Sequence, residues 1–267
     1  MTSRYLVAVD GSRPAAAALH WAAERASAAG DPLVIVHVEP DDAEEFDDAA
    51  VQRGAELLSE TVEGLSARYP DLTVGSRLLE GSVPAALATF AESTDTLVIG
   101  TGKTGFLHGR VLGSRSVQIA AAASCTVAVI PDVDLRFRRG VVAGVDRGGT
   151  AAAIAHAAAW EADARGEELL LVQAAPERTA RVTTASRADL ALAQAVATAR
   201  EHFPELVIRS RVAARPPAEA LLDSARDKAL LVLGPGAPDA ERPVVGSVLH
   251  DVLLNANSPV LITREDG

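Results

Sequence analysis

The chain is written twice, and that constrains its fold more than any other feature. The segment "YLVAVDGSRPAAAALHWAAERASAAGDPLVIVHVE" opens the first half, and "GVVAGVDRGGTAAAIAHAAAWEADARGEELLLVQA" opens the second. Asp10 falls on Asp146, His20 on His156, Gly30 on Gly166 and Val36 on Val172. Farther along, "RYPDLTVGSRLL" matches "HFPELVIRSRVA", and "GSRSVQIAAAASCTVAVIP" matches "GSVLHDVLLNANSPVLITR". The period is far too long for a solenoid, so a whole domain is duplicated. The predicted domains are residues 1–133 and 139–267, joined through "PDVDLRFRRG", where Pro131 and a run of charges break the hydrophobic pattern.

Within each half, short apolar runs alternate with alanine-rich stretches of helical length. The first half places strands at Tyr5–Val9, Leu33–Val38, Leu72–Leu79, Thr96–Ile99 and Thr126–Ile130. Continuous β-branched runs suit strands buried on both faces of a parallel sheet. Helices are expected at Pro14–Ala29, Ala49–Arg68, Val83–Ser93 and Arg115–Ser124. Pro14 suits a first helical turn and Gly30 a helix end. Strand–helix alternation with right-handed crossovers predicts a five-stranded α/β sandwich in each half. Hydrophobic residues make up 48% of the chain but aromatic ones only 3%, so alanine, valine and leucine must fill the core.

A formal net charge of −11 argues against a general binder of nucleic acid or membrane surfaces. Cys125 is the only cysteine, which excludes an internal disulfide and a zinc site built from paired cysteines. It is expected to be a small buried hydrophobe. The start "MTSRYLVAVD" enters a strand at once, unlike a secretory signal, and no apolar run reaches the roughly 18 residues of a membrane span. A cytoplasmic protein is expected. The acidic stretch "EPDDAEEFDD" lacks EF-hand spacing and reads as a solvated connection.

The stretch "TLVIGTGKTGFLHGRVLGSRS" contains "GTGKTG", which invites comparison with a Walker A loop. That loop needs G-x-x-x-x-G-K-[ST]; Gly102, Lys103 and Thr104 satisfy its end, but its first glycine would fall on Leu97, inside a strand. The loop also follows the fourth strand of its half rather than the first. It is not a Walker A loop. Gly113-Ser114 instead opens a helix, and a serine N-cap with free N–H groups behind it forms an anion site at the C-terminal edge of a parallel sheet. Lys103, Arg110 and Arg115 concentrate positive charge in this loop of an acidic chain.

With these residues in view, the chain resembles a tandem universal stress protein. Nucleotide-binding members of that family carry G-x2-G-x9-G-[ST] after the fourth strand and an Asp at the end of the first. Gly100, Lys103 and Gly113-Ser114 reproduce the spacing, with Lys103 standing where the family has its second glycine. The resemblance spans both halves and implies two tandem five-stranded parallel-sheet sandwiches, Rossmann-like and of the adenine nucleotide α-hydrolase-like kind. It implies adenine and ribose near Ala8 to Asp10 and Val38, a floor of Ile99 and Gly100, and phosphates met by Lys103 and the N–H groups of Gly113, Ser114 and Arg115. The ligand implied is ATP or a related adenine nucleotide, with or without magnesium. Asp10 also fits a capping role for the helix at Pro14, since "DGSRP" suits either.

The second half keeps Asp146, Gly234 and Gly246-Ser247, but Ala237 replaces the second glycine and the loop is one residue shorter. Pro235, Pro238 and Pro243 remove N–H donors there. It reads as a structural partner with at most a residual site. No G-x-S-x-G or H-E-x-x-H occurs, and the six histidines lack metal-ligand spacing. His37 is expected to be a satisfied core histidine, and His108 stands on the glycine loop.

Three functions follow. The leading one is a nucleotide-binding stress-response regulator with slow ATP hydrolysis at most. The second is a nucleotide-free dimerising scaffold acting through protein contacts. The third is an adenylate-transferring ligase, disfavoured because no added catalytic domain or signature is present. The resemblance also implies pairing through last strands, here "TVAVI" with "PVLIT", giving an intramolecular pseudo-dimer that can dimerise further.

Overall fold

The computed structural model describes residues 3–40, 48–102, 115–146, 150–174, 187–236 and 245–264. They divide into two compact units, the first reaching Asp132 and the second opening at Val133.

The first unit contains β1 (Tyr5–Ala8), α1 (Arg13–Ala29), β2 (Leu33–Glu39), α2 (Asp48–Arg68), β3 (Val74–Glu80), α3 (Val83–Phe90), β4 (Thr96–Thr101), α4 (Arg115–Ala122) and β5 (Thr126–Pro131). Its strands lie in the order β3-β2-β1-β4-β5, and all their pairings are parallel. The second unit repeats this with β6 (Val141–Gly144), α5 (Ala151–Asp163), β7 (Leu169–Ala174), α6 (Arg187–His202), β8 (Ile208–Ala213), α7 (Pro217–Ala225), β9 (Leu230–Leu233), α8 (Ser247–Asn255) and β10 (Val260–Ile262). Here the order is β8-β7-β6-β9-β10, again parallel. In each unit the first strand lies between the second and fourth, so successive crossovers diverge from it. That reversal opens a crevice at the carboxyl ends of the strands.

Leu6, Leu33, Ile35 and Leu97 are fully buried in the first sheet, each burial contributing about 2 kcal/mol. The run at Leu72–Leu79 was expected to be buried on both faces, but β3 is an edge strand with Gly75, Ser76 and Arg77 exposed. Its counterpart β8, the corresponding edge strand of the second unit, is likewise exposed.

Helix α1 buries Ala15, Ala18, Ala22 and Ala26, a helical spacing of small side chains that lets its axis approach the sheet closely. Arg25 stacks its guanidinium 3.6 Å from the ring centroid of Trp21. Gly30 ends the helix at φ 72°, as expected from its position. The N-cap is Ser12 rather than Asp10: the Ser12 hydroxyl accepts the Ala15 N–H at 3.3 Å. Asp10 sits one step earlier, its Oδ1 accepting the Ser12 N–H at 3.0 Å.

The N-terminal ends of β1 and β4 are clamped by charge. The Asp95 carboxylate, wholly buried, receives Arg4 Nε at 2.8 Å, Arg4 Nη2 at 3.1 Å and the Glu92 N–H at 2.8 Å. Three donors on one buried carboxylate satisfy it in place of water. By strand register, Asp95 corresponds to Ala229 in the second unit, where the nearby pair is Lys228 with Glu168 at 3.0 Å and half-exposed.

Candidate clefts at the two switch points

The first unit holds a cleft of about 260 Å³ at its switch point. Register pairs Ala8 with Val36 and Leu6 with Leu97, so alternation puts Ala8, Val36, Val38 and Ile99 on one face of the sheet. Val83 and Leu87 of α3 close the apolar wall, and Ser116 and Ile119 of α4 complete it. Asp10 stands at the mouth where β1 ends, exposed, and Arg115 is the first residue of α4, also exposed.

Gly100 lines the same cleft from the other face of β4. A Cβ placed there would lie 2.3 Å from both the carbonyl carbon and oxygen of Pro14. Only glycine lets the start of α1 settle this close to β4. Thus Ala8, Asp10, Val38, Ile99, Gly100 and Arg115 come together, whereas Lys103, Gly113 and Ser114 lie outside the described residues, as do His108 and Arg110.

His37 is satisfied as expected: its Nδ1 is 2.7 Å from the Val9 carbonyl, and Nε2 lies 3.5 Å from Glu39. Cys125 is fully buried. Among the described residues no group of three or more His, Cys, Asp or Glu side chains could hold a metal ion. No described helix is long and apolar enough to cross a membrane.

The sequence did not single out Ser12, Leu87 or Ser116. A serine two residues before a proline-started helix was the available signal for Ser12. Leu87 and Ser116 become cleft residues only once their helices pack on the sheet.

The second unit, where the sequence leads one to expect at most a residual site, holds a cleft of about 270 Å³ at its own switch point. Asp146, Gly234, Gly246 and Ser247 line it, at the positions of Asp10, Gly100, Gly113 and Ser114. The remaining lining differs. Counting from the matched Gly-Ser pairs, Arg115 and Ser116 become Val248 and Leu249. Register matches Ala8 with Gly144, and a Cβ there would lie 2.6 Å from Leu233 and 3.0 Å from Leu221, whose side chains occupy the space. The Gly246 N–H points back into its own loop and donates to the Pro235 carbonyl at 3.3 Å. Gly236, at φ 67°, makes that fold-back; a Cβ on it would lie 3.3 Å from the Gly246 Cα.

Two parallel five-stranded sheets, each with an apolar cleft and an Asp at its switch point, define a duplicated Rossmann-like α/β protein. Comparison with known proteins gives the family. A model described as the universal stress protein family matches residues 1–131 and again residues 138–264, and the chain belongs to that family. A universal stress protein of Mycobacterium tuberculosis strain H37Rv is 30% identical over 285 residues, which cover 97% of this chain and 96% of that protein. One from Mycobacterium bovis is 27% identical over 288 residues, with 97% and 96% coverage. A universal stress protein from Archaeoglobus fulgidus shares the fold, with a TM-score of 0.77, 15% identity and coverage of 99% of this chain and 97% of its own.

Proposed function

We propose that the protein binds ATP or a related adenine nucleotide in its first cleft and acts through that occupancy as a cytoplasmic stress-response regulator. The observation that carries this reading is the makeup of one cleft. Apolar side chains from β1, β2, β4 and α3 suit a base, Asp10 can accept sugar hydroxyls, and Arg115 at the first residue of α4 favours phosphate. The loop feeding α4 adds Lys103 and Arg110 and no acidic residue between Thr101 and Ser114. Lys103 contacts the phosphates in this reading, and magnesium, where present, arrives on the triphosphate. Asp10 and Glu39 are the described carboxylates of the lining: Asp10 Oδ1 accepts the Ser12 N–H, and Glu39 lies 3.5 Å from His37 Nε2, whose Nδ1 meets the Val9 carbonyl, so both carboxylates already have partners within the protein. Sensing rather than turnover is therefore the proposed role.

The test is calorimetric titration of ATP with magnesium into full-length protein stripped of nucleotide. One site per chain is expected, with the heat lost on Gly113→Ala plus Ser114→Ala and retained on Gly246→Ala plus Ser247→Ala. Equal losses from both pairs would end the assignment to the first half. No heat at millimolar ATP would end the nucleotide reading and leave the scaffold reading, to be pursued through partner proteins.

A further inference from the structure

We infer that His156 on α5 and His202 on α6 form a surface site for a divalent transition-metal ion in the second unit. The site is separate from that unit's cleft, whose lining includes neither residue.

Helices α5 and α6 pack against each other and so bring together two histidines that lie far apart in the sequence. Their ring centroids are 4.8 Å apart with the planes at 85°, and both residues are exposed. Two imidazoles that share an ion at about 2.0–2.1 Å from one nitrogen each have centroids roughly 4.5–5.4 Å apart, for bond angles of about 90–115°. The observed separation falls inside that range. An ion can therefore bridge the pair by a turn of the exposed rings, without a shift of either helix.

The surroundings prepare the pair for this. His202 Nδ1 donates to the Thr198 carbonyl at 3.0 Å, since a carbonyl can only accept. In the neutral ring this fixes the lone pair on Nε2, as when a backbone carbonyl orients a ligating histidine. His202 is also the last residue of α6, where the negative end of the helix dipole favours a cation. The Phe203 ring, 5.7 Å from that of His156 between centroids, limits where the His156 ring can turn. Imidazole nitrogens suit copper, nickel or zinc, with water in the remaining positions, and do not suit magnesium or calcium.

The first unit serves as an internal control. His20 stands at the position of His156, but its Nε2 lies 3.1 Å from Glu24, where the second unit has Trp160. Arg68 stands at the position of His202, its guanidinium 5.5 Å from the Tyr69 ring centroid. The first unit thus has a fixed cation where the second has a ligand.

The experiment titrates copper(II) into the full chain and follows tryptophan fluorescence. Trp160 lies one turn from His156 and is 48% exposed, whereas the other tryptophan, Trp21, is buried in the first unit. Quenching is expected to saturate at one copper per chain. The affinity should fall roughly tenfold or more in His156→Ala and in His202→Arg, and stay unchanged in His20→Ala. Zinc should raise the melting temperature of wild type but not that of His202→Arg, and magnesium should raise neither. Quenching undiminished in both second-unit variants, an equal loss in His20→Ala, or no quenching of wild type at submillimolar copper would overturn the proposal. If a variant does not fold, wild type alone still decides. Nickel(II) should broaden the ring proton resonances of His156 and His202 before those of His20 and His250, and the reverse order would overturn the assignment.

Discussion

The two clefts are nearly equal in volume yet opposite in what they offer an anion. The first ends in Arg115 at the start of α4; the second has Val248 at that position and a Gly246 N–H already committed to Pro235. Cleft size follows from strand order, which duplication copies wholesale. Charge follows from a few loop residues that can change without disturbing the sheet. A duplicated fold therefore preserves a cavity more readily than the charge around it.

The largest expected effect concerns the two glycines at the fourth strand of each half. Gly100→Ala drives a Cβ into the backbone of Pro14, which cannot swing away, and is expected to cost about 4 kcal/mol. Gly234→Ala meets only the Cδ1 of Ile154 at 2.9 Å, a side-chain end that can rotate, and should cost about 1 kcal/mol. Urea unfolding of each variant measures both, and equal costs would break the contrast. Next comes Asp95→Ala, which strips the buried partner from Arg4 and should destabilise by about 3 kcal/mol. Thermal melts followed in the separate halves should register that loss in the first half only. Arg115→Ala should weaken ATP binding about tenfold, a loss that shrinks at high salt, while Val248→Ala leaves ATP affinity unchanged.

The smallest effect is electrostatic. The Lys228 ammonium, by hydrogen bond and then by charge, holds the Glu168 carboxyl below its ordinary pKa. A depressed carboxylate stabilises the fold above the unfolded-state value, and that contribution is lost as pH falls through the lower folded value. The pair is half-exposed, so the contribution is small. Lys228→Met should flatten the acid limb of the stability–pH curve slightly; an unchanged limb would show that the pair adds nothing.

Much of this was legible in the sequence, because strand and helix placement follows local patterning. The first-half strands and helices lie within a few residues of expectation, and α1 and α2 each start one residue earlier than expected. What local patterning could not resolve were choices between neighbours. In "DGSRP" both Asp10 and Ser12 can cap a helix; Gly11 at φ 76° turns the chain so that Ser12 does. The exposure of β3 depends on its place at the edge of the sheet, which its composition does not encode. Nor did the prolines of the second loop predict that Gly246 would be engaged from within, since this depends on Gly236 bending the backbone.

Asp10 is the residue whose setting has the widest consequence. Its Oδ1 is already held by the Ser12 N–H, and Ser12 is itself anchored as the cap of α1. The carboxylate is aimed before anything arrives, so a ligand hydroxyl docking on it need not freeze a wandering side chain. Ser12→Ala, outside the contact itself, would then slow no encounter but shorten the ligand's stay.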